Sequence, residues 1–263
     1  MAVTEDPGRA NWVLGDAIAA QSEQIMGRHP FAAIAAARVS AGLGLIAAPA
    51  AVAADAAHPT VVELFQSQGC SSCPPANANV AALSDRPDVL ALSFSVTYWD
   101  QLGWKDTFAR PEYTARQWDY AHALRHAQVF TPQVVVNGRA DTVGIDRGQL
   151  WALIRTAARA SAGPEVAIGG GAVAIGAAPA PARPADVWLV RYDPRSVEVP
   201  IRRGENGGKT LPHKNIVHAL IHLGAWRGQP VRFALPPGAD PAWRVAILVQ
   251  TAGAGPILAA ARG

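Results

Sequence analysis

Both cysteines of this 263-residue chain stand two residues apart in Gly69-Cys70-Ser71-Ser72-Cys73-Pro74-Pro75, directly after the apolar run Val61-Val62-Glu63-Leu64-Phe65. Thiols at this spacing close a small disulfide ring when the second lies one helical turn beyond the first. The strand-like approach puts them at a helix start, where unpaired amide N–H groups and the positive end of the helix dipole stabilise a thiolate on Cys70. Cys73, further into the helix, is then the resolving partner of a thiol–disulfide exchange. A ring this small removes little chain entropy, so stability alone is a poor reason for it.

Other donor sets are weaker. Two cysteines exclude a disulfide-stapled scaffold and a four-cysteine zinc site. His122 and His126 are spaced i, i+4, but no Glu follows the first and no third ligand is evident, so surface or capping roles are expected. His213, His218 and His222 lack carboxylate or cysteine support. No metal and no cofactor is therefore expected. The glycine-rich run Gly204 to Lys209 has Arg203 where a phosphate-binding loop needs glycine, which argues against nucleotide binding. Net charge is +3 with scattered arginines, a solvated surface rather than a nucleic-acid footprint.

The elements that must carry the cysteines follow from patterning. Thr60 to Phe65 is β-branched and nearly continuous in apolar residues, a strand buried on both faces. Glu63 within it must be paired or protonated if buried, or else stand at an edge in water. Pro74 and Pro75 suit a first helical turn, and Ala76 to Leu83 continues the helix. Val89 to Val96 is a second strand, completing a βαβ unit with a parallel pair. Tyr98-Trp99-Asp100 and Trp104 follow its carboxyl end, the rim where open α/β sheets hold ligands. Tyr98, Trp99 and Asp100 are read as site residues and Trp104 as aromatic bulk closing the edge. Pro111 starts a helix to about Arg125 with Tyr113, Gln117, Tyr120 and Leu124 on one stripe. Pro132 opens a strand whose Asn137-Gly138 turn returns as a hairpin, and Asp146 caps a closing helix to about Ala160.

The stretches Glu63 to Pro75, Tyr98-Trp99-Asp100…Gly103-Trp104-Lys105-Asp106 and Thr131 to Gly138 resemble a family of secreted thioredoxin-like proteins of unknown function. The resemblance implies an α/β thioredoxin-like domain over residues 58–161. It makes Cys70 an exposed nucleophile and Cys73 its buried partner. It also implies a cis Pro132 facing the disulfide, a Thr131 backbone free to pair with an extended substrate, and Glu63 as the acid exchanging a proton with the resolving cysteine. The Ser71-Ser72 dipeptide matches neither reducing nor strongly oxidising members, so electron flow stays unassigned. Copper carriers of this fold separate their cysteines by three residues, against two here.

From Pro164 short β-prone runs alternate with glycine and proline, which predicts a mostly antiparallel β-sandwich-like domain of about eight strands over 164–263. At the other end, residues 39–54 are uncharged and close on Ala51-Val52-Ala53, a signal-peptidase pattern, behind Arg28, His29 and Arg38. Glu5, Asp6, Asp16 and Glu23 suit no signal, so the expected start is Met26, with a leader over 1–57 cut after Ala53. An uncleaved leader would be a membrane anchor, although the uncharged stretch is short of the ~20 apolar residues a span needs. The chain is thus expected in the periplasm or secreted, with protein thiols or disulfides as partners and no nucleic acid. The alternative is a non-catalytic binding module with a structural Cys70–Cys73 bridge.

Overall fold

The computed structural model describes residues 54–157 and 163–263; the expected leader, with its Met26 start and Ala53 cleavage point, lies outside them up to residue 53. In chain order the elements are β1 (Thr60–Gln66), α1 (Cys73–Leu83), β2 (Val89–Ser95), α2 (Pro111–Ala123), β3 (Gln133–Val136), β4 (Ala140–Thr142) and α3 (Arg147–Thr156). There follow β5 (Val166–Gly169), β6 (Ala172–Ile175), β7 (Ala185–Asp193), β8 (Val197–Pro200), β9 (Thr210–His213), β10 (Ile216–Trp226), β11 (Val231–Ala234), β12 (Arg244–Thr251) and β13 (Ile257–Arg262).

One eight-stranded mixed sheet, in the order β13-β12-β7-β10-β2-β1-β3-β4, organises the chain. β1 and β2 pair in parallel, as the βαβ pattern requires, and β3 pairs antiparallel to β1. The antiparallel strands expected to build a sandwich of their own instead extend this sheet. β10 pairs with β2 in parallel at Ile216 and Ser93, and β7, β12 and β13 follow outward from β10. The reason lies in the faces: Val190, Tyr192, Val217, Ala246 and Leu248 share one core with Val61, Phe65, Leu90, Phe94 and Tyr113. Two smaller antiparallel sheets remain, β11-β6-β5 packed over the far side of β7 and β12, and the β8–β9 hairpin.

Alternation along β1 sorts its side chains. Val62 and Leu64 face α1 and α3, whereas Val61 and Phe65 face α2 and the strands from β7 onward. The Asn137-Gly138 turn has both residues at positive φ (49° and 62°) and closes the β3–β4 hairpin. Glycine is required there twice over, since a Cβ on Gly138 would meet the Gly255 carbonyl at 2.5 Å. Ile257 N donates to Asn137 O at 2.9 Å, bringing β13 back beside that hairpin. Asp146 caps α3 by accepting from Gln149 N at 2.8 Å. Among the described residues no helix is long and apolar enough to cross a membrane.

His213, on β9, is buried with both ring nitrogens unpartnered, and burial pulls its pKa down from 6.5 to about 4. The native ring therefore refuses a proton that the unfolded chain takes up below 6.5, so its contribution to stability falls as pH drops from 6.5 to 4. At ~1.4 kcal/mol per pKa unit this costs about 3 kcal/mol by pH 4. His213→Leu is expected to flatten that acid limb when Tm is followed against pH; an unchanged limb would assign the loss to other groups.

Candidate functional site

Cys70 and Cys73 are joined by a disulfide, with their Cα atoms 5.5 Å apart, in the turn between β1 and α1. Cys73 is the first residue of α1, Ser72 its N-cap, and Cys73 N donates to Cys70 O at 3.2 Å. Cys70 thus precedes the helix by one turn. Thr131-Pro132 is a cis peptide immediately before β3, and Ser72 Oγ donates to Thr131 O at 3.4 Å, so the cysteine turn and the Thr-Pro loop abut. Trp99 Nε1 donates to Thr131 Oγ1 at 2.7 Å. Gln117 Nε2 holds the same loop from α2 through Phe130 O at 2.7 Å.

The loop after β2 is a brace. Asp100 Oδ1 accepts from Asp106 N at 3.0 Å, and Asp106 Oδ2 accepts from Gln68 N at 2.7 Å, just ahead of Gly69 and Cys70. Burial pushes the Asp106 carboxyl up to about 6 against its two backbone N–H donors. Trp104 Nε1 donates to Gln68 Oε1 at 2.9 Å, so it fixes the cysteine turn as well as filling space. Tyr98, half-buried, packs against the core with its hydroxyl beside Thr131 and Gln117, and burial raises that hydroxyl to about 12.

Two expectations need correction. Cys70 is not exposed: it has 0% of its surface accessible, while Ser71 and Ser72 are open to solvent. The tip of the β8–β9 hairpin, residues 201–209, is bonded to the turn that carries it. Asn206, itself fully buried, donates through Nδ2 to Gln68 O at 3.0 Å and Cys70 O at 2.9 Å. Glu205 Oε2 accepts from Ser71 Oγ at 2.6 Å and Ser71 N at 3.2 Å, and these bonds hold its carboxyl below the ordinary range. The tip closes on itself through Ile201 N to Lys209 O and Gly208 N to Ile201 O, both 2.8 Å.

The second correction concerns Glu63. It is buried and paired, as one of the two expected readings has it, and its partners lie on α2 rather than at the cysteines. By alternation it faces α2, on the opposite side of β1 from α1, and Arg116 meets it through Nε to Oε1 at 2.8 Å and Nη2 to Oε2 at 3.1 Å. Tyr120 OH also donates to Glu63 Oε2, and Gln250 Oε1 accepts from Arg116 Nη2 at 3.0 Å. Burial acts against the charge on Arg116, and the Glu63 carboxylate outweighs it, leaving the guanidinium more firmly protonated than usual. Glu63 is part of a buried ion pair tying β1, α2 and β12 together.

The structure therefore brings together Cys70, Cys73, Thr131, Pro132 and Trp99, sets Tyr98 beside Thr131 and Asp100 in the bracing loop, and pairs Glu63 with Arg116. Residues 61–250 match the family described as Protein of unknown function (DUF1223). The chain belongs to that family. It is similar to the crystal structure of a protein from Agrobacterium tumefaciens, at 32% identity and a TM-score of 0.63, covering 80% of this chain and 94% of that one. A more distant likeness, to HBP35 of Porphyromonas gingivalis, has 13% identity and a TM-score of 0.52 over 78% of this chain and 74% of that one, and concerns the fold alone. No curated protein matches.

Sequence reasoning missed Gln68, Asp106, Glu205 and Asn206. The last two lie in the glycine-rich run weighed only as a phosphate loop; Gly204 and Gly208 there take φ of 75° and 83°, the conformations of a tight hairpin tip. The three C-terminal histidines do not converge: His218 stacks on Trp243 at 4.2 Å, whereas His222 bonds Asp186 at 3.0 Å. His126 bonds Asp141 at 2.9 Å, and His122 lies against Trp118. Among the described residues no group of three His, Cys, Asp or Glu side chains could hold a metal.

Proposed function

We propose that this family member is an exported, periplasmic or secreted, thiol–disulfide oxidoreductase with a thioredoxin-like arrangement of β1 to α3. The observation that carries the reading is the Cys70–Cys73 bridge closed at the start of α1 and bonded through Ser72 to the Thr131-Pro132 loop. Such a constellation sets a nucleophile, a resolving thiol and a backbone edge for an extended substrate side by side.

In the reducing direction the Cys70 thiolate attacks one sulfur of a substrate disulfide. That bond breaks, and the leaving sulfur departs as a thiolate and takes a proton from water. The Cys73 thiolate then attacks Cys70 sulfur, releasing the second substrate thiol and closing the internal bridge. Two electrons pass from the dithiol to the substrate, and the reverse sequence donates a disulfide. Glu63 takes no part, because the sheet separates it from α1.

The burial of Cys70 favours a second reading, a binding module in which the bridge is a static clip. The two part at one experiment. A Cys73→Ala protein is expected to accumulate mixed disulfides with exported proteins, visible on non-reducing gels and absent when Cys70 is also replaced. No adducts, together with a Cys70 that resists alkylation after reduction, would leave the binding module standing.

A further inference from the structure

At the end of the sheet where β2 begins, away from the cysteines at the end of β1, lies a polar cavity of ≈ 190 Å³. Lys214, Arg244 and Arg262 line it, with Tyr192 and Asn215 as neutral polar neighbours and Asp85 as its carboxylate. The cations arrive from three separate parts of the chain: the turn before β10, the first residue of β12 and the last residue of β13.

Arg262 is fixed in place. Its Nη2 donates to Val89 O, and to Arg86 O and Pro87 O at 3.3 Å each, so one edge of the guanidinium is anchored on the segment leading into β2. Its Nε is buried and has no partner. Arg262 makes no ion pair among the described residues, so its charge is open to an anion in the cavity. The two nearby carboxylates are engaged: Asp85 with Lys214 Nζ at 2.7 Å, and Asp88 with Arg86 Nη2 at 2.7 Å. Asp85 sits mostly in solvent, so Lys214 can turn from it to a ligand. Arg244 is exposed at the rim and makes no ion pair among the described residues.

Two guanidinium groups and an ammonium lining one cavity with room for several waters match a tetrahedral dianion better than a neutral or cationic ligand. We propose that this cavity is a binding site for a small oxyanion of the phosphate class, held by Arg262 and Arg244 with Lys214 closing over it. The site stands independently of the chemistry at the cysteines.

The test is titration of the whole protein with inorganic phosphate by calorimetry, and by Tm, at ionic strength held constant with sodium chloride. Saturable one-site binding is expected, with a Tm that rises as the site fills. Arg244→Gln, an exposed change that should not disturb folding, is expected to weaken it about tenfold, in line with losing one charge-assisted contact. Arg262→Gln is expected to abolish it. Arg227→Gln, beyond β10, removes the same net charge elsewhere and should leave it unchanged. A response that does not saturate, or an equal loss in the Arg227 and Arg244 variants, would overturn the site and show only general screening.

Discussion

Arg116→Met is expected to lower the free energy of unfolding by roughly 3–5 kcal/mol, read from urea denaturation, because it leaves the Glu63 carboxylate buried without its counter-charge. The magnitude follows from asymmetry. Two ions taken out of water together recover much of the loss through their mutual attraction and two parallel hydrogen bonds, whereas one ion alone recovers none. Gln250 and Tyr120, which also bond to this pair, lose partners at the same time. Replacing both residues, as Glu63→Leu with Arg116→Met, is expected to return much of the stability, since no charge is then stranded. The same logic separates a structural Glu63 from a catalytic one. Glu63→Gln should leave the equilibrium of the Cys70–Cys73 pair with glutathione, and its pH dependence, where they are in the unaltered protein. A shifted equilibrium with little change in stability would mean that the carboxylate acts on the cysteines after all.

That mistake about Glu63 shows where sequence reasoning runs out. The strand, its burial and the cost of a carboxylate inside it were legible, because continuous apolar residues leave no wet face. Which side of the strand Glu63 faces depends on parity relative to Val62 and Leu64, and its partner Arg116 lies on helix α2, fifty-three residues away. The local elements up to α3 were readable for the same reason that they are local: proline at helix starts, Asn-Gly at the hairpin and the Asp146 cap each act within a few residues. The C-terminal strands were also found, but not their allegiance. Nothing in a run such as Val187 to Tyr192 says whether it pairs with a new sheet or extends an old one; the single parallel link between Ile216 and Ser93 decides that. The cysteine turn was evident from spacing, while its cover was not, since Glu205 and Asn206 reach it from more than 130 positions downstream.

The cover gives the other large effect. If the hairpin tip closes off the Cys70 sulfur, it lifts before Cys70 reacts, and the side-chain bonds between it and the cysteine turn are few. Asn206 Nδ2 contributes two, to Gln68 O and Cys70 O, and the Glu205 carboxylate two more, to Ser71. The tip's own closure across Ile201, Gly208 and Lys209 survives lifting, so it can move as a unit on β8 and β9. At ~0.5–1.5 kcal/mol net per bond, Asn206→Ala shifts the open fraction by about tenfold, and when opening precedes attack the rate follows that fraction. Asn206→Ala is therefore expected to speed reduction of the disulfide by a phosphine about tenfold, with the equilibrium against glutathione changed much less, because the cover governs access more than the stability of the bond. Acid acts in the same direction through Glu205: its native carboxyl is depressed, so the stabilisation it gives the closed tip is present above the unfolded value and is lost as pH falls through the folded one. A phosphine rate that is unmoved by Asn206→Ala would mean that reagent reaches the sulfur by another path, and the hairpin tip would then be a fixed support of the cysteine turn rather than a gate.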